Sequence, residues 1–96
     1  VSKIIYIESS GHKVTYHIHG KEFGDYVVKS KLDDIENELK EYKYLLRVHQ
    51  SYIVNMMYVN NISSYRVYLK NGIDLGGPKS RYKEVKKRIL EFKENN

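Results

Sequence analysis

The chain contains no cysteine, which excludes disulfide staples and thiolate metal sites. No apolar run approaches the roughly 20 residues of a membrane span, and the first residues form no signal-peptide apolar region. A cytosolic (cytoplasmic) protein without a membrane partner is therefore expected. Internal repeats, linkers and low-complexity segments are also lacking. So are a nucleophile elbow, a phosphate-cradling glycine loop and a carboxylate pair, the usual marks of an enzyme. The 96 residues are expected to form one small domain over 1–96. A chain of that size buries only about two-thirds of its unfolded surface, so its core must be compact.

Positive charge and tyrosine are what the chain has in excess. The formal charge is +5 and the pI is near 9.3. That bias points to polyanionic partners, because Lys and Arg displace condensed counterions from a phosphate backbone. Ten tyrosines suit half-buried strand positions, with the ring packed and the hydroxyl wet. Tyr16, Tyr26, Tyr44 and Tyr65 are expected to pack in this way. Stacking of bases on an aromatic platform is the other use of such rings.

Lys3 to Glu8 and Lys13 to His19 read as strands. In the second, Val14, Tyr16 and Ile18 alternate with Thr15, His17 and His19. The Ser9-Ser10-Gly11-His12 stretch between them makes a hairpin. Glu22 to Val28 is expected as a third strand. Ser30 can cap a mid-chain helix with Asp33 and Asp34 in its positive first turn, and Leu32, Ile35, Leu39 and Tyr42 on one face. Met56 to Ile62 follows, then Ser63-Ser64 as a turn and Tyr65 to Leu69 as a strand. Asn71-Gly72 is a strong hairpin dipeptide, with Ile73 to Leu75 as the return. Gly76-Gly77-Pro78 breaks the pattern. Ser80 can cap a C-terminal helix to about Glu94 with the apolar stripe Val85, Ile89 and Phe92. The pattern predicts a mainly β, α+β domain of antiparallel strands with one mid-chain and one C-terminal helix.

The stretch from Leu45 to Val59, LLRVHQSYIVNMMYV, organises the rest. A buried strand does not usually carry so many hydrogen-bonding groups in a row as Arg47, His49, Gln50 and Ser51. His49 and Asn55 are expected to satisfy buried backbone groups. Arg47 offers a planar donor fork for phosphate or guanine, and Gln50 can meet adenine bidentately. Ser51 is small enough to let a backbone approach and can donate to a phosphate oxygen. Gly11-His12-Lys13 is a small hairpin tip with a donor and a cation. Pro78-Lys79-Ser80-Arg81-Tyr82-Lys83 is a basic loop leading into a helix, whose first amides attract phosphate. Three such tips on a β scaffold imply that loops, not a recognition helix, meet the partner. His12, His17 and His19 have no acidic residue at a ligand spacing, so no metal or other cofactor is expected. His12 with His49 could serve a phosphodiester-cleaving nuclease only if both flanked one phosphate; no enzymatic activity is expected.

The segment Arg47-Val48-His49-Gln50-Ser51-Tyr52-Ile53-Val54-Asn55 resembles the RxHxSxxVN-like core of the LytTR (LytR/AlgR-type) DNA-binding domain family. Ile4-Ile5-Tyr6-Ile7-Glu8-Ser9 is similar to that family's early strand, and Asn71-Gly72 followed by Ser80-Arg81-Tyr82 and a basic helix to its end. Gln50 stands where the family more often has Arg or Asn. Gly76-Gly77-Pro78 replaces a more regular strand. The resemblance implies small antiparallel sheets and sequence-specific double-stranded DNA binding by a bacterial transcription regulator. It also implies loops entering successive major grooves of a direct-repeat site, where domains pair as dimers. By the same resemblance His12, Gln50 and Arg81 read bases, and Arg47 and Ser51 contact phosphate. Lys13, Lys79 and Lys83 join the phosphate set on charge and position. The resemblance further implies the output half of a two-component response regulator, with a receiver domain in a longer parent chain. A first family strand is expected to be missing. The alternative reading is a protein- or ligand-interaction module that uses a tyrosine-rich sheet face.

Overall fold

A computed structural model describes residues 2–20, 25–77 and 79–95. Its strands are β1 (Ile4–Ser10), β2 (Lys13–Ile18), β3 (Tyr26–Lys29), β4 (Leu45–His49), β5 (Tyr52–Asn55), β6 (Val59–Ser63), β7 (Arg66–Leu69) and β8 (Asp74–Gly76). Helix α1 spans Leu32–Glu38 and α2 spans Tyr82–Glu94, and 3-10 turns cover Met56–Tyr58 and Lys79–Arg81. The strands form two antiparallel sheets, one in the order β3-β2-β1-β5-β4 and one in the order β6-β7-β8.

The five-stranded sheet is covered on both faces, which explains why Ile4 to Ile7 is a continuous apolar run. On one face Ile7, Val14 and Ile53 pack with Leu32 and Ile35 of α1. On the other, Tyr6, Val48 and Val54 pack with Val59, Val67 and Leu69 of the second sheet and with Val85 and Ile89 of α2. A register shift between Ile4 and Tyr6 lets the consecutive residues Ile5 and Tyr6 share one core, because a bulge breaks the two-residue alternation. Burial, helped by the nearby Glu8 carboxylate, raises the Tyr6 phenol above its usual pKa.

Several local expectations need correction. Ser30 does not cap α1: its N–H donates to the His12 carbonyl at 3.1 Å, extending the β2–β3 ladder, and Lys31 takes the cap position without a side-chain bond. Helix α1 ends at Glu38 with Leu39 as its cap, not near Tyr42, as the amides of Lys40 and Tyr42 close tight turns onto Asn37 and Leu39. The C-terminal helix is capped by Arg81, with Ser80 inside the preceding turn. Gly76 completes β8, pairing with Arg66. The third strand lies at Tyr26–Lys29, and the part of the expectation on residues 22–24 falls outside the described residues.

The hairpins also depart in detail. The β6–β7 turn is Ser64-Tyr65, with φ of +52° and +61°, the sign pattern of a type I′ turn. After Leu69 only Gly72 takes positive φ, at +90°. Its N–H donates to the Leu69 carbonyl and Leu69 N–H to Ile73, giving a three-residue loop in place of a two-residue one. Tyr16 and Tyr44 are half-buried, whereas Tyr26, on an edge strand, and Tyr65, in a turn, are exposed.

Candidate nucleic-acid interface

Strand order brings loops distant in sequence to one edge. β1 runs antiparallel to both β2 and β5, so the β1–β2 tip and the β4–β5 turn emerge at the same end of the sheet. Ser9 N–H donates to the Ser51 carbonyl at 2.9 Å, tying the two tips together. The Ser30–His12 bond brings the end of β3 to the same edge. Gly11 takes φ +62° with open space around its missing side chain, so glycine is needed there for the backbone alone. His12 beside it is exposed.

Lys13 pairs directly with Lys29 across β2 and β3, and both are exposed. Like charges placed opposite one another on a sheet are unfavourable without an anion to separate them. Lys29 was not singled out in the sequence, where nothing links it to Lys13; only the strand register does.

The β4–β5 turn is braced from within. Arg47 Nε donates to the His49 carbonyl at 2.8 Å, and Nη2 to the Gln50 carbonyl at 2.6 Å. Nη1 donates to Asp33 Oδ1 and Glu36 Oε1, both at 2.8 Å. Four of the five guanidinium N–H donors are thus used inside the chain, and the side chain is only 11% exposed. Arg47, expected at a phosphate, here braces the turn against α1. The acidic partners Asp33 and Glu36 were missed as such because eleven or more residues separate them from Arg47.

His49 accepts the Ser51 N–H at Nδ1, at 3.0 Å, and its ring lies 5.4 Å from that of Tyr52. Its proton is therefore assigned to Nε2. Asn55 is fully buried at the far end of β5. Its Nδ2 donates to the carbonyls of Ser2 and Ile4, and its Oδ1 accepts from Met57 N–H. Both residues satisfy backbone groups, as their surroundings require.

The third loop reaches the same edge along the second sheet. Gly77 N–H donates to the Tyr65 carbonyl at 2.9 Å, and a side chain at Gly77 would meet the carbonyls of Tyr65 and Val48 at 3.7 Å. The chain then turns at Lys79–Arg81 into α2. Arg81, exposed, lines a depression of about 430 Å³ together with Asp33, Glu36, Arg47, His49, Gln50 and Ser80. Gln50 and Arg81 therefore share one surface. Lys79 and Lys83 lie on the other flank of the loop, towards Tyr65 and Tyr82. His17 places its two ring nitrogens 3.0 Å from Glu8 and 3.1 Å from Asp25, and its ring stacks on Tyr6 at 4.1 Å. Among the described residues no three His, Asp or Glu side chains are grouped to hold a metal ion, and no helix is long and apolar enough to cross a membrane.

The fold and this edge define a small basic β domain that presents polar loops side by side along one end of a sheet. The family model for the LytTr DNA-binding domain matches residues 1–90, and the chain belongs to that family. Its coarse function is accordingly DNA binding. Among solved structures, the LytTr DNA-binding domain of a methyl-accepting/DNA response regulator from Bacillus cereus matches with a TM-score of 0.72. That match covers 93% of this chain and 82% of the other at 21% identity. The likeness shows the same mainly β fold with antiparallel sheets. No curated protein matches the chain.

Proposed function

We propose that the domain recognises double-stranded DNA by sequence, as the output part of a transcription regulator, its loops entering successive major grooves. The observation that carries this reading is the convergence of the His12 tip, the Gln50-Ser51 turn and the Arg81 loop on one edge. In the proposal His12, Gln50 and Arg81 meet base edges, since each can offer a donor to the major groove and Gln can also accept. Ser51, Lys13, Lys79 and Lys83 meet phosphates, and Lys29 joins them through its pairing with Lys13. Arg47 acts indirectly by holding the Gln50 turn in place.

Residues 1–96 act here as one unit, in the cytoplasm, with pairs of domains on a direct repeat and a receiver domain in a longer parent chain as the source of regulation. Catalysis has no part in the proposal, which rests on membership of a DNA-binding family. The alternative interaction module is the weaker reading, as among the described residues Tyr6 is buried and Tyr16 and Tyr52 are half-buried on the central strands of the larger sheet. Selection of the domain on a randomised duplex library, with the winner's affinity followed across salt, tests the reading. A direct-repeat motif with a steep salt slope is expected. An unenriched pool with the same slope would reduce the activity to nonspecific charge binding.

A further inference from the structure

Two surfaces complement one another: one begins at Lys79 and Lys83 of the third loop and continues along α2, and the other lies on α1. The first is a groove along α2 beside the β6–β7 tip. Tyr65 is held there at φ +61°, a backbone region disfavoured for any residue with a side chain. Its ring meets that of Tyr82 at 4.7 Å, edge to face. Lys79 Nζ lies 5.6 Å from the Tyr65 ring centroid and Lys86 Nζ 5.8 Å from that of Tyr82. The two rings and Leu90, 46% exposed, floor a groove of about 690 Å³ rimmed by Lys79, Lys83, Lys86 and Lys87, with Glu91 and Glu94 at its far end.

The second surface is the outer flank of α1. Asp33 and Glu36 turn to Arg47. Asp34 and Glu38, four residues apart, share a different flank of the helix. Glu41 and the exposed ring of Tyr42 follow, between the exposed Lys40 and Lys43. Asp34, Glu38 and Glu41 have no ion-pair partner among the described residues. The flanks of α2 separate the two surfaces. α1 lies along the cleft lined by Glu84 and Arg88, whereas the groove uses Lys83, Lys86, Lys87 and Leu90.

We infer that the acidic flank of α1, with Tyr42, docks into the basic aromatic groove of a second copy of this chain, head to tail. The charges are opposite, and the apolar floor needs an apolar partner, which Tyr42 supplies and a phosphate backbone does not. Because the two surfaces do not overlap, the contact is heterologous and places successive copies side by side in the same sense. Its strength rises when the copies are held close together, as on one polymer.

The test uses the chain without DNA, so this contact and the DNA-binding reading can fail separately. Sedimentation velocity at low ionic strength compares the natural sequence, Lys86→Glu/Lys87→Glu, Asp34→Lys/Glu38→Lys, and an equimolar mixture of the two variants. The four positions are exposed and outside the loop edge. The natural chain is expected to self-associate, each variant to do so about tenfold more weakly, and the mixture to recover, because each copy then meets the opposite charge on the other. A natural chain that stays monomeric, variants that associate as it does, or a mixture that fails to recover would each overturn the contact. If Lys86→Glu/Lys87→Glu weakens DNA binding while self-association is unchanged, the groove belongs to the DNA backbone and the inference falls.

Discussion

Replacing Arg47 by Met separates the strut from a phosphate contact. Met keeps much of the apolar stem in place but removes the four hydrogen bonds to Asp33, Glu36, His49 and Gln50. The carboxylate partners are 84% and 50% exposed, so their ion pairs contribute only about 0.5 kcal/mol each. The two bonds to carbonyls come from a charged donor and are worth about 1 kcal/mol each after allowing for the exposed turn. The sum is about 3 kcal/mol. For a domain of this size that corresponds to a fall in Tm of roughly 12–24 °C, which thermal denaturation followed by circular dichroism reads directly. Affinity for DNA should drop because the Gln50 turn loosens. The slope of log affinity against log salt should stay the same, since no counterion is displaced by a guanidinium facing inward. A Tm within a few degrees of the natural chain, with a slope reduced by about one ion, would refute the strut and restore a phosphate contact. Asp33→Asn with Glu36→Gln should cost only about 1 kcal/mol, because the two carbonyl bonds survive.

Other substitutions probe the remaining parts. Asn55→Ala strands the Ile4 carbonyl and the Met57 amide in a fully buried site, and should cost about 3 kcal/mol in denaturant unfolding with an unchanged m-value. Gly11→Ala meets no atom, so its cost is the left-handed backbone alone, about 1–2 kcal/mol in the same assay. Arg81→Ala should lose about 1–3 kcal/mol on the selected DNA site and relax preference at one base pair; equal loss on every sequence would reduce it to a phosphate contact. Lys83→Ala should weaken all duplexes alike and lower the salt slope by about one.

Short-range pattern and long-range packing divide this molecule between them. Alternation in Val14 to Ile18, the turn residues Gly11 and Gly72, and the stripe of Val85, Ile89 and Phe92 are local features, each sufficient to mark its element. The central block Arg47 to Asn55 pointed to the family only through its resemblance to the RxHxSxxVN-like core. Ends of elements were less legible. Ser30 has the chemistry of a helix cap, yet its amide is drawn into the β2–β3 ladder. Ser64-Tyr65 adopts a turn that composition favours for Asn and Gly, with Tyr65 held by the ring of Tyr82.

Sequence alone determined that this is a small, basic, mainly β chain carrying three polar loops, since those properties follow from residue type and from periods of two and 3.6. Tertiary structure decided where the loops meet and which groups remain available. β5 pairs with β1 across some forty-five residues of chain, and that pairing sets Ser51 beside Ser9 and the Gln50 turn beside the His12 tip. The same packing sends Asp33 and Glu36 to Arg47, so a cation that reads as a phosphate ligand also braces the turn. Charge is a property of the residue, but its availability depends on which partner lies within hydrogen-bond reach, and only the folded chain fixes that distance.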